Sequence, residues 1–363
     1  MSLVPKHIKE LSPYKPGKTI ESVKRKFNLN RIIKLASNEN PVGPSKKSID
    51  AVYKDLKNSH RYPDSSGLLL REKLADKFNL KIDNVILGNG SEGIMSAIIR
   101  TFLKEKDEII TAQNSFIGFR VLANASGKKV HWVQMKNHKY DLLNIAKKIN
   151  DNTKIIYIAN PDNPTGTYIN IKEFDEFMTN VPNRVLIILD EAYFEYAQFV
   201  KDYPDSMFYR YDNVITLRTF SKIYGLAGFR VGYGFAHSDL ISNLLKVKLP
   251  FEPSASAQIA AINAIDDEKH LNDSINLNRY EMRRMKKLFD DNKIYYIDSV
   301  ANFLTINLND RETVVKCTNF LLSKGVIVRD LIGFGLPEYI RITIGNKEEN
   351  IIFINIFKEF LKS

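Results

Sequence analysis

The 363-residue sequence contains a single cysteine, Cys317, which excludes a disulfide within the chain and a cysteine-rich metal site. Long apolar runs are missing too, and runs such as residues 185–189 are far too short to cross a bilayer. The opening residues, MSLVPKHIKE, contain no apolar segment of the kind found in signal peptides. From these absences we expect a soluble protein of a reducing, cytoplasmic compartment.

Blocks of like charge are also missing, although 53 lysines and arginines outnumber 42 acidic residues and give a formal net charge of +11. Such an excess can attract nucleic acid or small anions. Because the basic residues are spread along the chain, as in Lys46, Lys47, Lys128 and Lys129, we favour a solvated basic surface. The six histidines show no spacing typical of paired metal ligands, so no metal site is expected.

Short apolar segments alternate with amphipathic ones through the first 250 residues. Continuous apolar character predicts strands buried on both faces at residues 85–87, 108–111, 154–159, 185–189 and 214–217. Helices are predicted between them at residues 91–103, 116–125 and 171–179. This alternation predicts an α/β domain built on a mostly parallel, doubly wound sheet.

The pattern changes after Pro250. Helices are predicted at residues 256–265 and 270–292, and strands at 303–307, 326–329 and 339–344. The chain is therefore divided into an N-terminal arm (1–30), a large domain (31–249) and a small α+β domain (250–363). The arm shows no core pattern of its own, so it must pack on other parts of the chain to be ordered.

The segment TFSKIYGLAGFR, residues 219–230, brings Lys222 just after a predicted buried strand and ends in Arg230. Apolar surroundings disfavour the charged form of a lysine, so such a lysine can act as a Schiff-base nucleophile. The alternative is an ordinary surface lysine, of which this sequence has many.

The segment LIILDEAY, residues 186–193, ends an apolar strand in Asp190 and continues to Tyr193. In open α/β sheets, ligands bind beyond the carboxyl ends of the strands, and a carboxylate there can hold a protonated pyridine nitrogen. Tyr193 is close enough in the chain to reach the same ligand. Alternatively, Asp190 caps the next helix.

Two turns follow other predicted strands. ANPDNPTG, residues 159–166, can direct the amide of Asn163 into the same cleft, although a plain turn is the simpler interpretation. LGNGSEG, residues 87–93, joins glycines to a helix N-terminus, which can cradle a phosphate. It has neither the lysine of a P-loop nor the spacing of a dinucleotide fingerprint, so alone it is a weak signal.

Taken together and in chain order, these four segments resemble the fold-type I pyridoxal-phosphate (PLP) aminotransferases. Further segments narrow the resemblance to the histidinol-phosphate aminotransferase family: LASNENP at 35–41, RYPD at 61–64, VRD at 328–330 and RITIG at 341–345. The resemblance extends from about residue 11 to residue 345. It implies the PLP-dependent transferase fold of type I, an α/β fold with a large sheet domain and a smaller α+β C-terminal domain.

The resemblance also implies roles at the reacting end of the cofactor. Lys222 would bind PLP covalently and move the proton during transamination. Asp190 would keep the pyridine nitrogen protonated. Asn163 and Tyr193 would hydrogen-bond the phenolic oxygen of the ring.

By the same resemblance, the phosphate of PLP would be bound by the backbone amides of Gly90, Ser91 and Glu92, and Ser221 and Arg230 would complete the site. Tyr62 would reach the phosphate held by the partner subunit of a homodimer. Phe119 stands where the family often has a tyrosine that stacks on the cofactor ring. The residues at positions 92 and 93, Glu92 and Gly93, differ from the commoner family residues, so no side-chain role is assigned at these positions, whereas the role of the backbone amides is unaffected.

The substrate would be bound by Tyr14, Asn38, Arg329 and Arg341, with the two arginines reading phosphate and carboxylate groups. The implied reaction converts L-histidinol phosphate and 2-oxoglutarate to imidazole acetol phosphate and L-glutamate, a step of histidine biosynthesis. Two alternatives use the same scaffold, an aromatic amino acid aminotransferase and a threonine-phosphate decarboxylase. A third is a nucleic-acid-binding regulator, although the motifs leave no length for a separate DNA-binding module.

Overall fold

The computed structural model describes residues 3–13, 17–205 and 211–362. The α-helices of these residues are α1 (Lys6–Lys9), α2 (Ile20–Phe27), α3 (Lys46–Asp55), α4 (Leu68–Lys77), α5 (Gly90–Phe102), α6 (Ile117–Ala125), α7 (Leu142–Lys147), α8 (Ile171–Met178), α9 (Phe194–Ala197), α10 (Ser238–Val247), α11 (Ala255–Ile265), α12 (Glu268–Asp291), α13 (Arg311–Ser323) and α14 (Lys347–Lys362). The strands are β1 (Ile33–Lys34), β2 (Val85–Gly88), β3 (Glu108–Ala112), β4 (Lys129–Val133), β5 (Thr153–Ala159), β6 (Leu186–Asp190), β7 (Val214–Thr219), β8 (Gly232–Phe235), β9 (Tyr296–Ile297), β10 (Phe303–Asn307), β11 (Val326–Ile327), β12 (Arg329–Asp330) and β13 (Tyr339–Thr343).

The large sheet has seven strands in the order β2-β8-β7-β6-β5-β3-β4. Strands β3 to β7 pair in parallel, and only β8 runs against its neighbours β2 and β7. Strands β6 and β7 are buried along their whole length, because helices cover both faces. The predicted doubly wound, mostly parallel sheet is confirmed.

Two strands of this sheet were not predicted. Strand β4 lies at the edge and is only partly buried, so its apolar signal is weak. Strand β8 contains Gly232 and Gly234, and glycine is depleted in strands. A Cβ atom at Gly232 would lie 2.5 Å from the backbone nitrogen of Ser91, so only glycine lets β8 pass the start of α5 this closely.

The smaller sheet is antiparallel, with the order β12-β13-β10-β9. The predicted strand at 326–329 is divided between two sheets, since β11 pairs in parallel with β1 while β12 pairs with β13. Helices α12, α13 and α14 pack against these strands through a shared apolar core that includes Met285, Val314 and Phe353.

The predicted domain boundaries at 30/31 and 249/250 stay predictions, and two segments pack across them. Helix α11 lies in the apolar core of the large domain with α3 and α4. In the other direction, Ile33 and Leu35 join the core of the small sheet. The arm packs as expected, because α1 contacts α6 and Val23 of α2 packs on Ala36 and Ile327.

The carboxyl ends of β5, β6 and β7 meet at one edge of the large sheet, beside the start of α5. Ligands in open α/β folds bind at this edge. Among the residues that the structure describes, no helix combines the length and apolar character needed to cross a membrane.

Candidate functional site

A cavity of about 680 Å³ opens at the carboxyl edge of the large sheet. Its walls include the strand ends Ala159, Asp190 and Thr219, the first turn of α5, and residues from the loop after β7. A volume of this size suits a cofactor together with a small substrate. The sequence-predicted residues of four separate segments therefore meet in one place.

Lys222 lines this cavity, three residues after the end of β7. Its Nζ lies 3.4 Å from the backbone oxygen of Ser37 and 5.6 Å from the centre of the Tyr193 ring. No carboxylate is paired with it among the described residues. The amine is therefore held in the cavity by weak contacts that leave it able to react.

Asp190, at the end of β6, is only 4% exposed. Its Oδ2 accepts a 2.7 Å hydrogen bond from the hydroxyl of Tyr157, whereas the buried Oδ1 has no hydrogen-bond partner among the described residues. Burial raises the pKa of this carboxyl to about 6. A buried carboxylate oxygen without a partner, on the wall of a cavity, is suited to a cationic or N–H group of a ligand.

Tyr193 is buried, and its ring packs edge-on against Phe303 with the centroids 5.3 Å apart. Its hydroxyl oxygen lies 2.8 Å from the side-chain nitrogen of Asn38. The side chain of Asn38 is thus occupied by protein partners, and it is absent from the cavity wall, which the neighbouring Ser37 and Glu39 line. The structure does not bring Asn38 to the position of a substrate ligand.

Asn163 lines the cavity from the turn after β5. The turn is built by Asp162, which accepts hydrogen bonds from the hydroxyls of Ser115 and Thr165 at 2.7 and 2.9 Å. The side-chain oxygen of Asn163 accepts a hydrogen bond from Arg341 of β13. Arg341 also donates to the backbone oxygen of Ala36 at 2.8 Å, so this buried guanidinium joins the small sheet to the cavity.

The first turn of α5 has backbone N–H groups that no side chain caps, because Asn89 at the N-cap makes no such bond. Ser91 and Glu92 line the cavity together with Ser221 and Arg230. Arg230 donates to the Ser221 hydroxyl at 3.3 Å and pairs with the Glu92 carboxylate at 3.4 Å. Free amides at a helix start beside an arginine form a binding site for an anion.

Gly90 shapes this anion site. Its φ of +70° lies in the left-handed region, and a Cβ atom there would come within 2.6 Å of the Arg230 guanidinium. Glycine therefore serves both the turn into α5 and the close approach of Arg230.

Two phenylalanines near the start of α6 have different surroundings. Phe116, at the N-cap of α6, lines the cavity. Phe119, which the sequence singled out, is 1% exposed and stacks on Tyr157 with ring centroids 4.0 Å apart and an angle of 7° between the rings. The structure thus brings Phe116 rather than Phe119 to the cavity, and sequence reasoning missed both Phe116 and Tyr157.

Two other predicted residues, Arg329 and Tyr62, are not among the residues that line the cavity. Arg329 of β12 is the direct cross-strand partner of Arg341, and its guanidinium lies 5.9 Å from the centre of the Phe334 ring. Tyr62 is 81% exposed and stacks on Phe251 with ring centroids 4.4 Å apart. Tyr14 lies outside the residues that the structure describes.

Comparison with known proteins gives the family of this chain. Residues 30–356 match the family described as aminotransferase class I and II. The chain belongs to this family. The predicted enzyme class, a PLP-dependent aminotransferase, and the predicted type I fold are thereby confirmed.

Within the class I and II aminotransferases, the chain is similar to histidinol-phosphate aminotransferases. It is 40% identical over 357 residues to histidinol-phosphate aminotransferase 1 of Nitrosococcus oceani, covering 98% of this chain and 96% of that protein. It is 40% identical to the histidinol-phosphate aminotransferase of a Geobacillus species, with 98% and 97% covered. The crystal structure of the Sinorhizobium meliloti histidinol-phosphate aminotransferase in complex with pyridoxal-5'-phosphate superimposes with a TM-score of 0.92 at 24% identity, covering 100% and 98% of the two chains.

The aminotransferase cavity of this chain fits PLP. The unpartnered Oδ1 of Asp190 matches the protonated nitrogen of a pyridine ring, and the free amides of α5 with Arg230 match a phosphate. Lys222 supplies an amine on the same cavity wall.

Proposed function

We propose that this chain catalyses the PLP-dependent transamination of L-histidinol phosphate with 2-oxoglutarate, giving imidazole acetol phosphate and L-glutamate. The choice of this substrate is supported by the 40% identity, over 98% of the chain, to proteins named histidinol-phosphate aminotransferases. The reaction is a step of histidine biosynthesis. The aromatic aminotransferase and decarboxylase alternatives are not favoured by these relatives, and a cytoplasmic location accords with such a metabolic role.

PLP, when bound, takes the amino group of the substrate and draws electrons from its Cα into the pyridinium ring. Lys222 Nζ is proposed to remove the proton from substrate Cα and to deliver it to C4′ of the cofactor. Its amine lies on the cavity wall and has no carboxylate partner among the described residues. Asp190 Oδ1 is proposed to keep the ring nitrogen protonated. A charged carboxylate stabilises the protonated nitrogen strongly because the site is buried.

Further residues are proposed to orient the cofactor. Tyr193 and Asn163 would hydrogen-bond the phenolic oxygen, and Phe116 would cover one face of the ring. The phosphate would be bound at the start of α5 by the backbone amides of Ser91 and Glu92, with Ser221 and Arg230. Gly90 lies beside them, and its own N–H donates to the backbone oxygen of Arg230 at 3.1 Å. Arg230 would exchange its pairing with the Glu92 carboxylate for the phosphate, to which a guanidinium can make two parallel bonds.

Two arginines are proposed to bind the substrate. Arg329 and Arg341 are cross-strand partners in an antiparallel pair, and like charges in this arrangement repel each other. An anionic group bound near them relieves the repulsion. This supports the assignment of the substrate phosphate to the pair and of the glutamate carboxylate to Arg341.

Substituting lysine for Arg341 should lower kcat/KM for histidinol phosphate by about 10²-fold, because lysine keeps the charge but lacks the planar fork whose two terminal nitrogens reach Asn163 and Ala36 separately. Steady-state kinetics of Arg341→Lys beside Arg311→Lys measure this effect. Arg311 lies at the exposed start of α13 and serves as the matched control. Unchanged turnover in Arg341→Lys would place the anion site elsewhere.

The proposed function is tested by a half-reaction. The protein is loaded with PLP, amino donors are added without a keto acid, and the absorbance of the bound cofactor is followed. Fast conversion by histidinol phosphate, and slow conversion by phenylalanine and threonine phosphate, is the expected result. Preference for phenylalanine would make the chain an aromatic aminotransferase, and a protein that stayed colourless with PLP would refute the PLP chemistry.

A homodimer is also proposed, with Tyr62 reaching the cofactor phosphate of the partner subunit. The exposed ring of Tyr62 and its stacking on Phe251 support this, because a large apolar surface is unfavourable in water. Leu69 and Leu249, close to these two residues in the chain, are exposed as well. Sedimentation analysis should give twice the chain mass, and a monomer would refute the shared site.

A further inference from the structure

Three buried polar side chains from distant parts of the chain form a connected set beside the cavity. Thr343 ends strand β13 of the small sheet, Asn38 follows β1, and Tyr193 follows β6. They are 3%, 1% and 2% exposed. Asn38 binds both of the others, so it connects the small sheet to the cavity wall that Tyr193 lines.

The hydrogen bonds define which way the Asn38 amide faces. Thr343 Oγ1 accepts a 2.9 Å bond from the backbone nitrogen of Asn38 and donates its own proton to Asn38 Oδ1 at 3.0 Å. A hydroxyl has one proton, and here it is used on Oδ1. The amide oxygen therefore faces Thr343, and the NH₂ group faces Tyr193.

This orientation also defines the role of the Tyr193 hydroxyl. Asn38 Nδ2 can only donate, so the Tyr193 oxygen accepts the 2.8 Å bond between them. The proton of the Tyr193 hydroxyl is then left for an acceptor on another side. Tyr193 lines the cavity, so a ligand oxygen there can be that acceptor.

We propose that Thr343, acting through Asn38, is a positioning residue that fixes Tyr193 as a hydrogen-bond donor toward the ligand in the cavity. The inference rests on the proposed function, because it names the phenolic oxygen of PLP as the acceptor. It gives Asn38 a role different from substrate binding, and it assigns a role to Thr343, which the sequence did not single out.

The backbone around Asn38 supports a role that depends on fixed geometry. Its φ of 57° lies in the left-handed region, which asparagine tolerates better than most residues. The backbone oxygen of Asn38 accepts a 3.1 Å bond from the side chain of Asn302, and the preceding residue, Ser37, contacts Lys222. The same short segment thus contacts both Tyr193 and the reactive amine.

The inference also relates substrate binding to the cofactor. Thr343 and Arg341 are two residues apart on β13, so their side chains lie on the same face of the strand. Arg341 donates to Asn163 while Thr343 bonds to Asn38. The strand that carries the substrate arginine therefore also holds the residue that orients Tyr193.

The test follows the pH at which the absorbance of bound PLP titrates, without any substrate. A donor to an anionic phenolic oxygen stabilises the deprotonated form, so losing that donor moves the midpoint upward. Thr343→Val keeps the shape and removes the hydroxyl. We expect it to raise the midpoint by about half a pH unit, in the same direction as Tyr193→Phe. Thr343→Ser, which keeps the hydroxyl, should restore the wild-type midpoint.

A double variant separates positioning from an effect on the fold. If Thr343 acts through Tyr193, Tyr193→Phe/Thr343→Val should titrate like Tyr193→Phe alone. Thr318→Val is the control, since it removes a threonine hydroxyl elsewhere in the small domain, on α13, where that hydroxyl donates to the backbone oxygens of Val314 and Val315 at 2.8 and 3.1 Å. Its midpoint should equal the wild-type value.

The inference is overturned if Thr343→Val titrates like the wild type while Tyr193→Phe does not, or if the two shifts add fully. Should Thr343→Val fail to fold, Asn38→Asp takes its place. An aspartate can only accept from Tyr193, so Asn38→Asp should shift the titration midpoint of bound PLP. This shift should be markedly smaller in the Tyr193→Phe background, and an unchanged shift would overturn the inference. Failure of the wild-type protein to bind PLP would instead refute the proposed function, which keeps the two failures distinct.

Discussion

Replacing Lys222 with alanine should leave PLP binding measurable but reduce transamination by about 10⁴-fold or more. The proposed phosphate site at the start of α5 and the carboxylate of Asp190 do not depend on this side chain, so we expect them still to hold the cofactor. The amine that we propose to move the proton at substrate Cα is lost. No other lysine lines the cavity among the described residues, so none can take over.

Two measurements check this expectation. Single-turnover kinetics give the loss in rate, and mass spectrometry after borohydride reduction shows whether PLP has become covalently attached to the chain. The wild type should gain the mass of the reduced cofactor and Lys222→Ala should not. Lys154→Ala is the control, because Lys154 is a half-buried lysine away from the cavity wall whose Nζ donates to the backbone oxygen of Arg184 at 3.2 Å. Near-normal turnover of Lys222→Ala would show that another lysine reacts.

The strand ends at the site could be predicted from the sequence because buried apolar strands are followed there by residues with reactive or polar side chains. Strands β5, β6 and β7 are buried and largely apolar, polar residues stand at or just after their ends, and parallel strands bring such ends to one edge. Asp190 and Lys222 were found in this way. Strand β8 was not, since Gly232, which lets the strand pass the start of α5, and Gly234 carry no apolar signal.

Side-chain direction could not be predicted from the same patterns. Helix α6 begins at Ile117, so Phe116 at its N-cap faces the cavity and Phe119, three residues later, faces the core. Local sequence does not say which of two nearby aromatics points outward. The partner of Asn38, Thr343, is 305 residues away in the chain, and only the packing of the two sheets brings them together.

Replacing Asp190 with asparagine should have two opposite effects, a large loss of activity and a gain in the stability of the cofactor-free protein. Asparagine cannot hold a proton on a pyridine nitrogen by charge, so transamination should fall by about 10²- to 10³-fold. The isosteric amide still accepts the hydrogen bond of Tyr157, so the surrounding core is kept.

The stability effect follows from the pKa of Asp190. Burial raises this pKa from 3.8 to about 6, so between these values the folded protein binds a proton that the unfolded chain has lost. The cofactor-free protein therefore loses stability as the pH rises through this window, and above pH 6 the full cost of a buried charge is present. Below the window, wild type and Asp190→Asn differ little.

At pH 8 the cofactor-free Asp190→Asn protein should accordingly be more stable than the wild type by about 1–3 kcal/mol, since one pKa unit corresponds to about 1.4 kcal/mol. Urea denaturation at pH 8 and at pH 4 measures the difference in the free energy of unfolding, which should largely disappear at the lower pH. Asp239→Asn is the control, because the Asp239 side chain on α10 is 88% exposed and should change little at either pH. A cofactor-free Asp190→Asn protein less stable than the wild type at pH 8 would contradict the argument. The expected gain means that the charge of Asp190 is unfavourable for the empty fold, and the proposed contact with a cationic ring would offset this cost in the loaded protein.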